Sequence, residues 1–450
     1  MKSLQKIVVS CLFTCVLLPR FSFSQLTSIK PVSASNPVLL AQVDKIADAV
    51  TSKVIEWRRD IHQHPELGNR EFKTAEKIAQ HLQSLGIEVK TQVGKTGVVG
   101  ILKGPFEGPV VALRADMDAL PITERGNSSF KSTVTTEYNG KTTGVMHACG
   151  HDAHVAMLMG AAEALVAVKN QLKGTIKFIF QPCEEGPPTG EEGGAKLMVR
   201  EGVLDNPKVD VIFGQHIASG TETGVITFRP GGFYAANDIF KITVKGKQSH
   251  GASPWASVDP IITGAQILLG LQTIVSRNLP LTENAAVVTV GAFNAGNRQN
   301  IIPEEAVMIG TIRTFDASMQ KTIHQRIREI ATFIAQSAGA TAEVEISSED
   351  PMVFNSHPLT AQMVPTLQKL VGASNVILVP AGTGAEDFAY YAQKVPAFFF
   401  RVGALPKGKK PLEVLHHTPD FQMDEGSLGV GVKTLCHLAL DYIEQYHSTK

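Results

Sequence analysis

Four apolar runs each lead into a polar loop rich in chemically useful residues. Val110–Leu113 runs into RADMDALP (114–121), Thr175–Phe180 into QPCEEG (181–186) and Asp210–Phe213 into GQHI (214–217). Ala397–Arg401 precedes a loop ending in LHHTPDF (415–421). Between these runs, apolar positions recur at helical spacing over Lys45–His64, Arg70–Leu85, Asp152–Leu172 and Glu425–Tyr446. Short continuous apolar runs read as strands buried on both faces, and their alternation with helices predicts a largely parallel sheet. Ligands of such sheets gather at the carboxyl ends of the strands, where all four loops lie.

From about Phe233 to Asp350 the rhythm changes. It reads strand (Asp238–Val244), helix (Val258–Arg277), strand (Ala285–Phe293), strand (Glu305–Phe315), helix (Ala317–Ala338) and strand (Thr341–Ile346). That order is the split βαβ, ferredoxin-like pattern. The expected fold is therefore α/β, a mostly parallel-sheet domain over 41–232 and 351–450 interrupted by an α+β domain at 233–350. No internal repeats stand out.

The N-terminus reads differently. Lys2 and Lys6 precede an apolar run from Ile7 to Leu18, followed by Ser22-Phe23-Ser24 at cleavage-like spacing. This is the pattern of a signal peptide, expected at 1–24, and the run is too short to span a bilayer stably. Export to a periplasm or the exterior follows, with a Ser/Pro/Asn-rich linker at 25–40. Lys plus Arg (42) balances Asp plus Glu (42), so no basic stripe argues for nucleic acid or an anionic membrane. Of five cysteines, Cys11 and Cys15 leave with the signal, and Cys149, Cys183 and Cys436 make no disulfide framework. Cys436, among Leu435, Leu438 and Leu440, reads as core.

Cys149 lies in MHACGHDAH (146–154), just before a helix, two residues from His151. Thiolate and imidazole at that spacing suit a borderline-soft divalent metal such as zinc. Asp152 is placed to cap the helix, and His154 projects one turn in as packing or support. Glu184 and Glu185 fit either a solvated charge pair or a metal ligand beside a general base. His216 fits a core histidine or a ligand, and His416 and His417 an exposed pair or a ligand site. Asp116 and Asp118 fit helix caps or supports for ligands and water. His250, in KGKQSHGASP (245–254), fits a polar loop.

From RRDIHQHPELG (58–68) onward the chain resembles the hippurate hydrolase and indoleacetyl-amino-acid hydrolase group of metallo-amidohydrolases, within the aminoacylase and carboxypeptidase superfamily. RADMDALP, MHACGHDAHVAMLMGAA, QPCEEGP, SHGASP, NIIP (300–303), GTIRTF (310–315), EDFAYY (386–391) and HTPDFQMDE (417–425) carry the resemblance in order. It implies two divalent ions (zinc, manganese or cobalt) held by Cys149, His151, Glu185, His216 and His417. His417 is taken over His416 because the family ligand lies two residues before the proline, here Pro419. Glu184 takes the general-base role, and His250 reaches the substrate carbonyl, in the neighbouring subunit's site. Asn300 and Arg313 match positions near the substrate end; Asp116, Asp118, Asp152 and His154 support the ligands. A homodimer through the inserted lid domain follows by the same resemblance. Gln215 and Cys183 depart from the group's usual leucine and alanine.

The expected reaction is hydrolysis of the amide of a small N-acyl amino acid, with Glu184 passing a proton from water to the leaving amine. The nearest alternative is a metallo-carboxypeptidase or dipeptidase of the same superfamily. A protein that binds metal or acyl-amino acids without catalysis is the alternative of another class. In an exported protein a bare Cys149 thiolate would also be open to oxidants once metal leaves.

Overall fold

The computed structural model describes residues 36–448, so the signal peptide expected at 1–24 lies outside the described residues. The chain enters on a helix, Pro37–Gln63, which starts earlier than its periodicity suggests. The Asn36 side chain accepts from the N–H groups of Val38 and Leu39, and Pro37 occupies the first helical turn, where a missing N–H costs nothing. Residues 37–40, expected within the linker, are thus helical, and Leu39 is buried.

The main sheet has eight strands. In order across the sheet they are Glu88–Val93, Gly97–Lys103, Lys173–Gln181, Phe106–Asp116, Val211–Glu222, Ala397–Leu405, Ile226–Phe228 and Val376–Leu378. The four longest, in the middle, run parallel; antiparallel pairs lie toward the edges. Side chains alternate between two cores. Val111, Leu113, Phe178, Phe398 and Phe400 meet the layer formed by Pro37–Gln63, His151–Val166 and Gly426–Ser448. Ala112, Ile179 and Phe399 face the opposite core with Met198, Phe388 and Tyr391. Each buried Phe contributes about 1.5–3 kcal/mol. Glu88–Val93 escapes the sequence reading because most of its residues are exposed, and Ile226–Phe228 and Val376–Leu378 because they are very short.

The inserted segment forms its own four-stranded antiparallel sheet: Ala286–Ala295, Glu305–Thr314, Ala236–Lys245, Thr341–Asp350. Helices Pro260–Asn278 and Ala317–Ser337 cover one face, each begun by an aspartate, Asp259 and Asp316, that accepts two backbone N–H groups. Phe240, Ile242, Ile267, Met308, Ile323 and Ile327 make a core separate from the other two. This is the ferredoxin-like strand order that the alternation predicts. A two-residue ribbon, Ser249–His250 against Ile301–Ile302, projects from it. Among the described residues no helix is long and apolar enough to cross a membrane.

Candidate metal centre

Parallel pairing sets the ends of neighbouring strands side by side. Asp116 is level with Gln181 across one pair, and Arg401 with His216 across another. The loops that follow therefore converge on one end of the sheet. His216 is not at a strand end, since its strand continues to Glu222. Cys149 and His151 enter on the turn before His151–Val166, hinged by Gly150 at φ +91°. A Cβ at Gly150 would run into the Ile217 side chain. His417 is itself left-handed (φ +60°), and its N–H donates to Ala148 O at 2.9 Å, tying the C-terminal loop to the Cys149 segment.

Five overlapping donor groups result among the described residues, and two of them share the Cys149 sulfur. Cys149 Sγ lies 3.3 Å from His216 Nε2 and 3.2 Å from His417 Nε2. Cys149, His151 and His216 form one of these groups, Cys149, Glu185 and His417 another, and His151 also groups with Glu184 and Glu185. His417 Nε2 also approaches Glu185 at 3.1 Å. His416 turns the other way, with Nε2 accepting from Ser219 N at 3.2 Å and Nδ1 donating to Cys149 O at 3.2 Å. Both its nitrogens are engaged by backbone.

The supporting groups orient the rings. His151 Nδ1 donates to Asp118, 2.9 Å from its carbonyl, which leaves Nε2 buried with no hydrogen-bond partner. His216 Nδ1 donates to Ile217 O at 2.6 Å, which turns its Nε2 lone pair toward Cys149. His154 uses both nitrogens, Nδ1 on Asp116 (2.5 Å) and Nε2 on Ile217 N (2.9 Å), so both are engaged within the protein. Asp152 does not cap the helix. The cap position is Gly150, while Asp152 sits in the first turn, buried against Arg58 Nε (2.8 Å) and His62 Nδ1 (2.9 Å). There its charge suits the positive end of the helix.

Burial and neighbouring charge set the protonation states without metal. Burial, reinforced by the carboxylates of Glu185 and Glu184, pushes the Cys149 thiol well above its ordinary value. Burial, Glu386 and Glu185 likewise raise Glu184 well above the carboxylate range. Burial would lower His151, but Asp116, Asp118 and Glu185 outweigh it and push it up to about 10. For Asp116 burial is outweighed by Arg114, His151 and His154, which hold it well below the carboxylate range.

Soft thiolate, imidazole and carboxylate donors, an orphaned His151 Nε2 and ring orientations set by outer partners together fit a pair of divalent cations of the zinc, manganese or cobalt kind. Cys149, Glu185, His216 and His417 line a cavity of about 950 Å³, while His151 is fully buried and not on its wall. His250, Asn300 and Arg313 are not on its wall. His250 and Asn300 lie together instead, exposed at the projecting ribbon, where Gly251 N donates to Asn300 O at 2.8 Å. Arg313 is half-buried beside Asn237 in the second sheet, with Nη1 lacking a partner.

The sequence reading passed over Arg114, Glu386 and Asp387, although both of their runs were noted. Arg114 is fully buried and binds Asp116 (2.5 Å), Glu386 (3.0 Å) and Asp387 (3.0 Å), bracing the floor of the site. A lone arginine inside an apolar strand was the available signal. Of the two departures, Gln215 faces away from the cavity, its Nε2 on Met157 Sδ at 3.4 Å. Cys183 lines the cavity and adopts φ +58° directly before Glu184.

The chain is similar to known proteins over most of its length. It is 39% identical over 391 residues to thermostable carboxypeptidase 2 of Saccharolobus solfataricus, covering 86% of this chain and 95% of that one. It is 38% identical to the N-acetylcysteine deacetylase of Bacillus subtilis (88% and 98% covered) and 35% identical to the IAA-amino acid hydrolase ILR1-like 2 of Arabidopsis thaliana (94% and 95%). The crystal structure of the Bacillus subtilis YXEP protein, described as a dinuclear metal-binding peptidase from the M20 family, superposes with a TM-score of 0.75 at 35% identity, covering 88% of this chain and 99% of that one. Residues 112–441 match the family model itself, so this chain, an amidohydrolase, belongs to peptidase family M20/M25/M40.

Proposed function

We propose that this protein hydrolyses the amide bond of N-acyl amino acids, using two divalent ions held by Cys149, His151 and His216 on one side and Cys149, Glu185 and His417 on the other. The observation that carries this reading is the Cys149 sulfur shared between two donor sets, whose members His151 and Glu185 also approach each other at 3.9 Å. When bound, such ions lower the pKa of water toward ~7 and polarise the amide carbonyl.

The chain's own residues do the rest. Glu184 Oε2 stands 3.8 Å from His151 Nε2, in the cavity and beside both donor sets. It accepts the proton of the attacking water and returns it to the leaving nitrogen. His250 and Asn300 meet a substrate only when delivered from another copy. A homodimer through the second sheet supplies them, and exposed Ile262 and Leu269 on Pro260–Asn278 support that reading. Arg313 then helps to hold the substrate end. Export is our reading of residues 1–24 alone.

The relatives named above leave a second reading, carboxypeptidase action, favoured by the similarity to a carboxypeptidase. A panel of acetyl-, benzoyl- and indoleacetyl-amino acids beside dipeptides, run on metal-stripped protein with each metal restored in turn, separates the two. Glu184→Gln should lower kcat by about 10²–10⁴ while metal content holds. Near-normal turnover in that variant would remove Glu184 from its role.

A further inference from the structure

Two side chains on the cavity wall have no part in the chemistry above. Arg401 stands on Ala397–Leu405 in register beside His216 of the neighbouring strand. Its guanidinium carbon lies 4.6 Å from the ring centre of Tyr234 and 4.8 Å from that of Phe233. Arg401 Nε donates to Tyr234 Oη at 2.7 Å. Gly382 makes the room, since a Cβ there would come within 2.8 Å of Arg401 Nη2. Arg401 and Tyr234 line the same cavity as Cys149, Glu184 and His216.

Among the described residues no carboxylate lies within ion-pair distance of Arg401. The acids nearby are taken elsewhere: Glu386 and Asp387 each lie 3.0 Å from Arg114 Nη2, and Asp350 accepts from Asn237 at 3.5 Å. Stacking and the Nε bond fix the plane of the guanidinium, so its two terminal nitrogens form a rigid, unsatisfied fork of the kind that matches a carboxylate. Tyr234 spends its oxygen as acceptor on Arg401, which leaves its own O–H to donate. Burial pushes that phenol up to about 12, so the hydrogen is retained at neutral pH.

We infer that Arg401 and Tyr234 form a carboxylate-recognition site inside the cavity, which selects anionic over neutral acyl-amino compounds. The inference rests on the reading of this cavity as the substrate site. Two groups supply the same chemistry: the α-carboxylate of the amino acid, or a second carboxylate on a dicarboxylic acyl chain.

Three compounds distinguish them: N-acetylmethionine, N-acetylmethioninamide and N-succinylmethioninamide. Binding to the metal-loaded protein is measured by calorimetry in a Glu184→Gln background, and kcat and KM are measured in the parent. The parent should favour a carboxylate-bearing compound over N-acetylmethioninamide by roughly tenfold to a hundredfold. Arg401→Met should bring the ratio close to one, chiefly through KM, with metal content retained. Arg401→Lys should recover only part of it, because an ammonium cannot offer the fork. Tyr234→Phe should weaken it a few-fold. A preference confined to N-acetylmethionine assigns the α-carboxylate; one seen with N-succinylmethioninamide assigns the acyl side. If the parent's preference survives in Arg401→Met, the site is wrong even where amide turnover is normal. If none of the compounds is hydrolysed but the binding preference exists and is lost in Arg401→Met, the proposed reaction fails and the site stands.

Discussion

The carboxylate of Asp118 accepts the backbone N–H of Glu184 at 3.0 Å through Oδ1, and that of Glu185 at 3.0 Å through Oδ2. The same residue takes the Nδ1 hydrogen of His151. One buried residue therefore aligns the candidate base, a candidate carboxylate ligand and a candidate imidazole ligand.

Asp118→Asn keeps the shape but offers one acceptor oxygen in place of two, and sets an NH₂ against a backbone N–H. Loss of such an outer partner typically costs 10–100-fold in metal affinity or activity. Titration of stripped protein with zinc or manganese should show a drop of that size, with the fold intact by circular dichroism. Unchanged affinity would mean that the Glu184–Glu185 loop is held by other contacts.

Gly150→Ala tests the turn that joins two candidate ligands, Cys149 and His151. At φ +91° a Cβ costs about 1–2 kcal/mol, and here it also strikes the Ile217 side chain. The expected result is a lower Tm together with weaker metal binding, since Cys149 and His151 cannot both keep their places. A fall in Tm with unaltered affinity would show that the strain relaxes elsewhere.

Metal binding should release protons. Burial and the carboxylates of Glu185 and Glu184 push the Cys149 thiol up, and the ring of His151 titrates at about 10, so without metal both hold a proton at pH 7. Ligands must shed those protons, and affinity should rise with pH through the neutral range. Calorimetry in two buffers of different ionisation enthalpy reads the number released, and a value near zero at pH 7 would contradict it. A protonated, buried thiol also resists oxidation better than the bare thiolate that its spacing suggests.

Asp238 makes the stability of the second sheet pH-dependent. Burial would raise it, but hydrogen bonds from His324 and Gln320 outweigh this and lower its pKa. A depressed folded pKa adds stability above the ordinary carboxylate range, and that stability is lost as pH falls through the folded value. Asp238→Asn should therefore destabilise by about 1–3 kcal/mol at pH 7, with the gap to the parent closing as pH falls below the ordinary carboxylate range. Denaturant unfolding at several pH values checks it; a gap independent of pH would assign the effect to packing.

The alternation of apolar runs and helical spacing determined the two-sheet architecture, because burial on both faces of a parallel strand leaves a mark that needs no partner to read. Spacing likewise marked Cys149 and His151 as metal-type chemistry, while Glu184–Glu185 stayed open between a solvated pair and a ligand beside a base until the resemblance chose. Resemblance, not spacing, preferred His417 to His416. The structure separates them physically: a left-handed turn at His417 points one ring at Cys149, while backbone bonds consume the other. The early start at Pro37, the placing of Asp152 against Arg58 and His62, and the brace around Arg114 also depend on groups far apart in sequence. Arg401 shows the limit best. Along the chain it is one charge interrupting an apolar strand. Only pairing beside His216, and stacking on Tyr234 and Phe233, turn it toward the cavity without a counter-ion.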